Sequence, residues 1–315
     1  MRIVFLGSGE FACPTLAALA DSDHELAGVV TQPPRPAGRS RKPRPTPVAG
    51  LAERLGLDVF PCENINAPAA VARLQALRPD VMVVVDFGQF IRAGARSAAA
   101  IDTFNIHASL LPELRGAAPI NWAIIRVHER TRVTTFSLVE KMDAGDIYYV
   151  AETDLGADLR ALELRAVLAH LGAGVAIRTV EALAAGVARP VPQDHDRATR
   201  APLMDKTLGQ VDFAAAARDI RNLIHGTWPW PGARATYRPR EGGKAVDLVL
   251  ARAEVLAGDP PGPPGHVDAE GAVSTADGRV GLLEVKPAGK RLMSWRDFAN
   301  GARLGEGDRL EGTRP

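Results

Sequence analysis

The sequence begins with MRIVFLGSGEFACPTLAAL, residues 1–19, and this stretch decides how the first half of the chain is interpreted. An apolar run at Ile3–Leu6 is broken by Gly7 and Gly9, and apolar residues then recur at helical spacing over Phe11–Leu19. The pattern predicts a strand, a tight turn and a helix. We expect a buried first strand rather than a secretory leader, because the apolar run is short and no small-residue cleavage site follows it.

The same alternation continues along the chain. The uninterrupted apolar run VMVVV at 81–85 is typical of a strand that is buried on both faces. The other predicted segments are strands at Leu26–Val30, Val59–Phe60, Thr103–Ile106 and Val133–Leu138, and helices at Val48–Leu55, Ala67–Leu77 and Leu162–Leu183. Such alternation predicts an α/β fold with a doubly wound, mostly parallel, Rossmann-like sheet.

The length of 315 residues allows two domains. We expect a catalytic domain at residues 1–187, a linker rich in proline and charge at 188–206, and a second domain at 207–315. In the second domain a helix-like segment at Phe213–Ile224 precedes short β-rich runs at Val246–Ala251, Val273–Thr275 and Val280–Val285. Short strands separated by Gly, Pro and Asp predict a smaller, OB-like β-barrel.

Composition restricts the function classes. The net charge is +1, so any contact with nucleic acid must come from local basic patches rather than from the overall charge. No stretch approaches the roughly 20 apolar residues that cross a bilayer, so we expect no membrane span. The two cysteines, Cys13 and Cys62, form no metal-binding motif, so we expect no metal, no disulfide, and a location in the reducing cytoplasm.

Two polar residues, Asn105 and His107, end a predicted strand. Alternation along a strand puts both side chains on one side of the backbone, at the sheet edge where ligands of open α/β sheets bind. An amide donor beside an imidazole suits acyl transfer, because the amide can hold an oxyanion while the imidazole moves a proton. Taken alone, an N-x-H tripeptide is better explained as a loop cap beside a structural histidine.

Further motifs change that balance, namely SLLP at 109–112, RGAAPI at 115–120 and MDAGD at 142–146. With N-x-H, these motifs resemble the folate-dependent formyltransferases, in which N-x-H, S-L-L-P and D-x-G recur in this order. The resemblance implies that Asn105, His107 and Asp143 are the catalytic residues of an enzyme. Asp146 is an acidic competitor for the third role. A dinucleotide site is not expected, because the third glycine of G-x-G-x-x-G is replaced by Ala12.

The resemblance also implies a co-substrate, 10-formyltetrahydrofolate, and its binding residues. These are two segments, one after the buried strand and one after N-x-H: Phe87, Gly88, Gln89 and Phe90, and Ser109, Leu110, Leu111 and Pro112. Asp86 departs from the family, which more often has a small neutral residue there. Its carboxylate either alters the folate pocket or points to solvent.

A basic stretch at 31–48, TQPPRPAGRSRKPRPTPV, contains five cations and no acidic residue. Like charges and prolines make it difficult to order, so it is either a solvated loop or a phosphate-binding one. It resembles the loop that the family members acting on methionyl initiator tRNA insert against the acceptor stem. The resemblance extends to WPWPG at 228–232 and KPAGKRLM at 286–293. The residues expected at tRNA are Arg35, Arg39, Arg41, Lys42, Arg44, Lys286, Lys290 and Arg291.

The resemblance therefore implies transfer of the formyl group to the α-amino group of methionyl initiator tRNA, for translation initiation, by a monomeric enzyme. Trp228 and Trp230 are expected to pack between helix and barrel rather than to stack on bases. A sugar-nucleotide N-formyltransferase is the alternative of the same chemistry. A noncatalytic RNA-binding protein is the alternative of another class, and it is disfavoured because Asn105, His107 and Asp143 are all present.

Overall fold

The computed structural model describes residues 1–36, 42–126 and 128–312. The chain divides into two compact units. The first comprises Met1–Pro119, Arg130–Asp154 and Arg165–Ala201, and the second comprises Ile120–Glu129, Leu155–Leu164 and Pro202–Pro315. The segments Ile120–Glu129 and Leu155–Leu164, which lie in the N-terminal half of the sequence, thus belong to the second unit.

The first unit is built on a mixed sheet. Its strands are β1 (Arg2–Gly7), β2 (Glu25–Thr31), β5 (Val59–Pro61), β6 (Val81–Val85), β7 (Asp102–His107), β8 (Arg130–Ser137) and β9 (Ile147–Asp154), and a separate pair is formed by β3 (Arg35–Pro36) and β4 (Pro43–Arg44). The order is β5-β2-β1-β6-β7-β8-β9, parallel as far as β7 and antiparallel beyond it. The predicted Rossmann-like sheet is confirmed.

The helices of this half are α1 (Cys13–Ala20), α2 (Pro47–Arg54), α3 (Pro68–Ala76), α4 (Ala93–Arg96), α5 (Pro119–Ile125) and α6 (Ala161–Ala184). Most of them, namely α1, α2, α3 and α5, carry a proline in their first turn. Proline is tolerated in the first turn because its missing N–H has no helical partner there. The Thr46 hydroxyl accepts from the Ala49 N–H at 3.0 Å and caps α2.

The apolar faces of the sheet explain why most elements were predictable. Strands β1 and β6 are buried throughout their central residues, and Leu74 of α3 packs with Val4 and Met82 in the core. Strand β9 was not predicted, although it opens with the apolar run Ile147–Ala151, and its residues are half-buried or exposed rather than part of the core. Helix α6 is long and apolar enough to cross a membrane, but 56% of its most apolar window is buried inside the protein.

The second unit is an antiparallel barrel. It contains α7 (Ala217–Thr227), β10 (Ala233–Arg238), β11 (Val246–Leu256), β12 (Val273–Ser274), β13 (Arg279–Pro287), β14 (Met293–Ser294), α8 (Trp295–Ala302) and β15 (Arg309–Gly312). The sheet order is β12-β13-β11-β10-β15, with β14 paired to β13. Val267 bridges to Val273 of β12 and His266 bridges to Arg309 of β15, so this crossing segment nearly closes the barrel. The predicted barrel is confirmed.

The barrel core contains Ile220 and Ile224 of α7 and the aromatic group Tyr237, Trp295 and Phe298. The burial of Ile220 and Ile224 determines which face of α7 points into the barrel.

Two expectations for this unit need correction. Helix α7 begins at Ala217 rather than Phe213, because Ala216 is extended and the Ala217 N–H is bonded to the Asp277 carbonyl at 3.0 Å. Trp228 is half-buried, but Trp230 is 52% exposed, so the expectation that both indoles are packing residues is wrong for Trp230. Trp230 lies in the turn between α7 and β10, outside the barrel core.

Candidate active site

Strand β7 carries Asn105 and His107 at its carboxyl end, between β6 and β8. Phe104 and Ile106 are buried in the core, whereas Asn105 is half-exposed. Within the described ranges, the Asn105 carboxamide makes no hydrogen bond to the protein. A carboxamide at a sheet edge with no protein partner is available to a ligand.

The His107 ring is held by its surroundings. It is 7% exposed, its Nε2 lies 2.9 Å from the carbonyl oxygen of Leu114, and the Phe136 ring packs edge-on with centroids 6.4 Å apart. A carbonyl oxygen only accepts, so Nε2 carries a proton. Nδ1 is therefore the nitrogen that can gain or lose a proton without breaking this bond.

Asp143 faces that free nitrogen. Its Oδ2 is 3.9 Å from His107 Nδ1 and accepts from the Gly116 N–H at 2.8 Å. Asp143 itself has a φ of 51°, and a Cβ at Gly145 would lie 1.7 Å from the Ser137 carbonyl oxygen. The D-x-G spacing thus has a steric cause, because the turn that presents Asp143 allows no side chain at Gly145.

The structure distinguishes Asp143 from Asp146. The Asp143 side chain is 11% exposed and its carboxylate lies 3.9 Å from His107, whereas among the described residues the Asp146 side chain forms no ion pair with that imidazole. Of the two carboxylates, Asp143 is the one that the turn directs towards the imidazole.

The segment after β6 offers both buried and exposed groups. Phe87 is 2% exposed, and its carbonyl accepts from Ser8 and Gln32 at 3.2 and 3.0 Å. Gln89 is bonded to main-chain atoms of Ile65 and Cys62, both at 2.8 Å. Gly88 and the 43% exposed Phe90 remain accessible.

Asp86 lies at the start of this segment with a φ of 46°. Its carbonyl accepts from Ser8 and Gly9, and its carboxylate lies 3.8 Å from Arg165. Although 40% of the side chain is exposed, loss of hydration in the crevice raises the pKa of Asp86, and Arg165 only partly offsets this. A Cβ at Gly9 would lie 1.9 Å from the Asp86 carboxylate, so the two residues are sterically matched.

The SLLP motif forms a compact turn behind His107. The Ser109 hydroxyl donates to the Glu113 carbonyl at 2.6 Å, and the Ser109 carbonyl accepts from Thr134 at 2.7 Å. Ser109, Leu111 and Pro112 are buried, and Leu110 is half-buried. This turn leads directly to Leu114, which holds the histidine.

The basic stretch contains the short antiparallel pair of β3 and β4. Arg35 of β3 lies opposite Arg44 of β4, and both are exposed, as is Lys42. Arg39 and Arg41 lie outside the described residues. Arg35 and Arg44 line a cavity of about 360 Å³ together with the Ser8–Gly9 turn and Asp86. Like charges directly opposite one another on paired strands repel, so an anion between them is favourable.

A second basic surface, the basic row of Arg234 and Lys286, lies on the barrel. Arg234, Val249 and Lys286 are direct cross-strand neighbours on β10, β11 and β13. Arg234 and Lys286, with Lys206, line a cavity of about 460 Å³ whose acidic residue is Asp247. Among the described residues these three cations form no ion pair. Lys290 and Arg291 are exposed in the turn after β13.

Two contributors were missed by the sequence analysis. One is the Leu114 carbonyl, whose role does not depend on its side chain. The other is Gln193, in the segment expected to be a linker, which is 6% exposed and contacts both Arg115 and the Asp143 turn. Within the described part of the chain, no group of three His, Cys, Asp or Glu side chains could hold a metal ion.

Comparison with known proteins adds a family match over both units. Residues 1–180 match the formyl transferase family model, and residues 203–303 match that of the formyl transferase C-terminal domain. The methionyl-tRNA formyltransferase of Solibacter usitatus is 39% identical, with 98% of each chain covered. The methionyl-tRNA formyltransferase of Roseiflexus castenholzii is 42% identical, with 99% of each chain covered.

A solved structure supports the fold. The N-formyltransferase of Helicobacter canadensis, in complex with folinic acid and dTDP-3-aminofucose, superposes with a TM-score of 0.66. The identity is 13%, and the match covers 92% of this chain and 100% of that one. At this identity the likeness is one of fold.

Proposed function

The chain belongs to the formyl transferase family, and from that premise we propose that it transfers the formyl group of 10-formyltetrahydrofolate to the α-amino group of methionyl initiator tRNA. The observation that carries the chemistry is the juxtaposition of His107 Nδ1 and Asp143 Oδ2, 3.9 Å apart, on a sheet edge that also presents Asn105. The relatives' names and their full-length similarity carry the choice of acceptor.

The reaction forms one bond and breaks another. The amine nitrogen attacks the formyl carbon, whose carbonyl electrons move onto oxygen. Collapse of that oxyanion breaks the bond to the folate nitrogen, which receives the proton that the amine loses. Asn105 donates a hydrogen bond to the oxyanion, since its carboxamide has no protein partner among the described residues.

His107 moves the proton through Nδ1, because Nε2 is occupied by Leu114. Asp143 stabilises the imidazolium that forms when Nδ1 is protonated, as a carboxylate near an imidazole favours its charged form. The separation of 3.9 Å is longer than a hydrogen bond, so this support is electrostatic.

The folate donor binds, in this proposal, along the segments 87–90 and 109–112. Gly88 and Phe90 are the exposed members of the first segment, and Leu110 is the most accessible member of the second. Phe87, Gln89 and Ser109 fix the main chain of both segments through the hydrogen bonds described above. Main-chain groups held in this way suit recognition of a flat polar ring.

Initiator tRNA is proposed to meet the two basic surfaces. The first surface carries Arg35, Lys42 and Arg44, with Arg39 and Arg41 between them in the sequence. The second carries Arg234 and Lys286, with Lys290 and Arg291 in the exposed turn after β13. Phosphate neutralisation by such cations supplies affinity that falls as salt rises. The proposal includes a monomeric enzyme of the cytoplasm that acts without a metal.

The test is a transfer assay with a labelled formyl donor and two acceptors, methionyl initiator tRNA and a dTDP-linked amino sugar. We expect label in formylmethionyl-tRNA and none in the sugar nucleotide. Label in the sugar nucleotide alone would overturn the proposed acceptor while leaving the chemistry intact. Absence of label in both would overturn the chemistry.

A further inference from the structure

Gln193 uses all of its hydrogen-bonding capacity on the loops around His107. Its Nε2 donates to the carbonyl oxygens of Asp143 and Gly145 at 3.0 and 2.6 Å. Its Oε1 accepts from Nε and Nη2 of Arg115 at 3.2 and 2.5 Å. A carboxamide has two N–H donors and two acceptor lone pairs, so each is occupied. The side chain is 6% exposed, so water cannot replace these partners.

The first pair of bonds holds the turn that carries Asp143. With a φ of 51°, Asp143 adopts a left-handed conformation that costs a residue with a side chain about 1 kcal/mol or more. Such a conformation persists when surrounding bonds enforce it. Gln193 bonds the carbonyl of Asp143 and that of Gly145, and so spans the part of the turn that directs the carboxylate.

The second pair of bonds reaches the chain that holds His107. Arg115 follows Leu114, whose carbonyl accepts from His107 and whose φ of 57° is also left-handed. The Leu114 N–H donates to the Thr199 hydroxyl at 2.9 Å, and the Ala201 N–H donates to the Arg115 carbonyl at 2.7 Å. The segment 193–201 therefore braces both left-handed residues beside the imidazole.

Arg115 completes the link electrostatically. Burial lowers the pKa of its guanidinium, and the charge of Asp143 opposes that shift, so the two groups interact. Its Nη2 also lies 2.9 Å from His195 Nδ1. The neutral carboxamide of Gln193 thus contacts both Arg115 and the main chain of Asp143. These partners are 78 and 50 residues away in the sequence.

We propose that Gln193 is a positioning residue for formyl transfer, which sets the Asp143 carboxylate relative to His107 by tying the turn at 143–145 to Arg115. The inference rests on the proposed roles of Asp143 and His107. It assigns no contact with either substrate to Gln193. A misplacement of about 1 Å at a reacting group costs roughly 100-fold in rate, so loss of this tie is expected to lower kcat rather than weaken binding.

The test is a double-mutant cycle measured by single-turnover formylation. Gln193→Leu is expected to lower the transfer rate about 10- to 100-fold in the native background, with KM for both substrates nearly unchanged. In an Asp143→Asn background the same substitution is expected to cost less than about threefold, because there is no longer a carboxylate to position. Gln193→Glu is expected to behave as Gln193→Leu, since a carboxylate cannot donate to the two carbonyls.

Thr179→Val is the matched control for lost stability. Thr179 is fully buried in the same unit and bonded to Thr135 at 2.8 Å and to the Val175 carbonyl at 2.7 Å, and among the described residues it has no hydrogen bond to the Asp143 turn. It should lower Tm while leaving the transfer rate of the folded protein intact. An equal loss from Gln193→Leu in both backgrounds would overturn the positioning role. Full activity of Asp143→Asn alone would instead overturn the proposed catalytic assignment.

Discussion

The imidazole of His107 donates its Nε2–H to the carbonyl oxygen of Leu114 at 2.9 Å. This bond assigns the tautomer, because the carbonyl cannot donate. It also directs Nδ1 towards Asp143, 3.9 Å away. The proton that moves in the reaction is therefore expected at Nδ1, and the order of events around it can be tested by substitution.

Removing the imidazole should abolish the chemistry and leave substrate binding intact. His107→Ala is expected to lower kcat by about 100- to 10,000-fold, the usual contribution of a general acid or base. The Kd for methionyl initiator tRNA should stay near the native value. His170→Ala, an exposed histidine of α6, is the control and should retain native turnover. Native kcat in His107→Ala would reject the assignment.

The two nearby carboxylates should differ in effect. Asp143→Asn keeps an oxygen for the Gly116 N–H but loses the charge that faces Nδ1, so we expect kcat to fall about 100-fold or more with little change in Tm. Asp146→Asn should remain close to native. Steady-state assays of kcat for both variants are the measurement. A larger loss in Asp146→Asn than in Asp143→Asn would assign the support of His107 to Asp146.

The glycine of the D-x-G turn should not tolerate a methyl group. Gly145→Ala brings a Cβ to 1.7 Å from the Ser137 carbonyl, so the turn must shift. We expect a loss of about 2 kcal/mol or more in unfolding free energy, with activity lost in parallel. Gly50→Ala in α2 meets nothing closer than 3.7 Å and should be neutral or stabilising. Denaturant unfolding of the pair is the measurement, and equal stability would contradict the steric account.

The basic row on the barrel should contribute to tRNA affinity. Arg234→Gln and Lys286→Gln are each expected to raise KM for tRNA, to leave kcat unchanged, and to reduce the slope of log affinity against log salt by about one. Lys244→Gln, an exposed cation of the same unit outside the row, is the control. An unchanged salt slope in both row variants would exclude this surface from tRNA binding.

His225 should make the barrel unit sensitive to acid. Burial, followed by the charges of Arg221, Arg252 and Arg160, lowers the pKa of His225 to about 4, and its Nε2 accepts from the Ala253 N–H at 3.1 Å. A histidine with a lowered folded pKa stabilises the fold above its unfolded pKa of 6.5 and loses this contribution as the pH falls towards about 4. Up to about 3 kcal/mol should disappear over that window.

The measurement for His225 is urea unfolding between pH 7 and pH 4. His225→Gln, which does not titrate, should flatten this dependence relative to the native chain. A slope that is the same in both proteins would locate the acid sensitivity elsewhere.

The part of the site that could be predicted from the sequence consists of residues with distinctive side-chain chemistry. Asn105 and His107 are predicted on one side of a strand end from their alternation, Asp143 is predicted from the D-x-G motif of the family resemblance, and the structure brings His107 and Asp143 together. Strand β6 is equally clear, because the uninterrupted apolar run VMVVV is typical of a strand that is buried on both faces. Strand β9, at the edge of the same sheet, begins with the apolar residues Ile147–Ala151, but they are only half-buried or exposed and the strand was not predicted.

The supporting groups could not be found in this way. Leu114 acts through its carbonyl, which every residue possesses. Gln193 lies 78 residues from Arg115 in a stretch that reads as a polar linker, and only the fold brings the two together. Helix α7 begins later than its composition suggests, because the Asp277 carbonyl captures the Ala217 N–H. These outcomes depend on tertiary hydrogen bonds between distant segments rather than on local propensity.

The crossing segment at His266–Val267 affects how the chain behaves at high concentration. Because it bridges both terminal strands of the barrel, β12 and β15, little free strand edge remains there for a foreign chain to extend. The first unit protects its β9 edge by a different means, since Glu152 and Asp154 on β9 pair with arginines of β8. The barrel sheet thus resists the addition of a foreign strand by closure, and the sheet of the first unit resists it by charge. At high protein concentration and at a pH that neutralises carboxylates, the first unit should therefore aggregate before the barrel does.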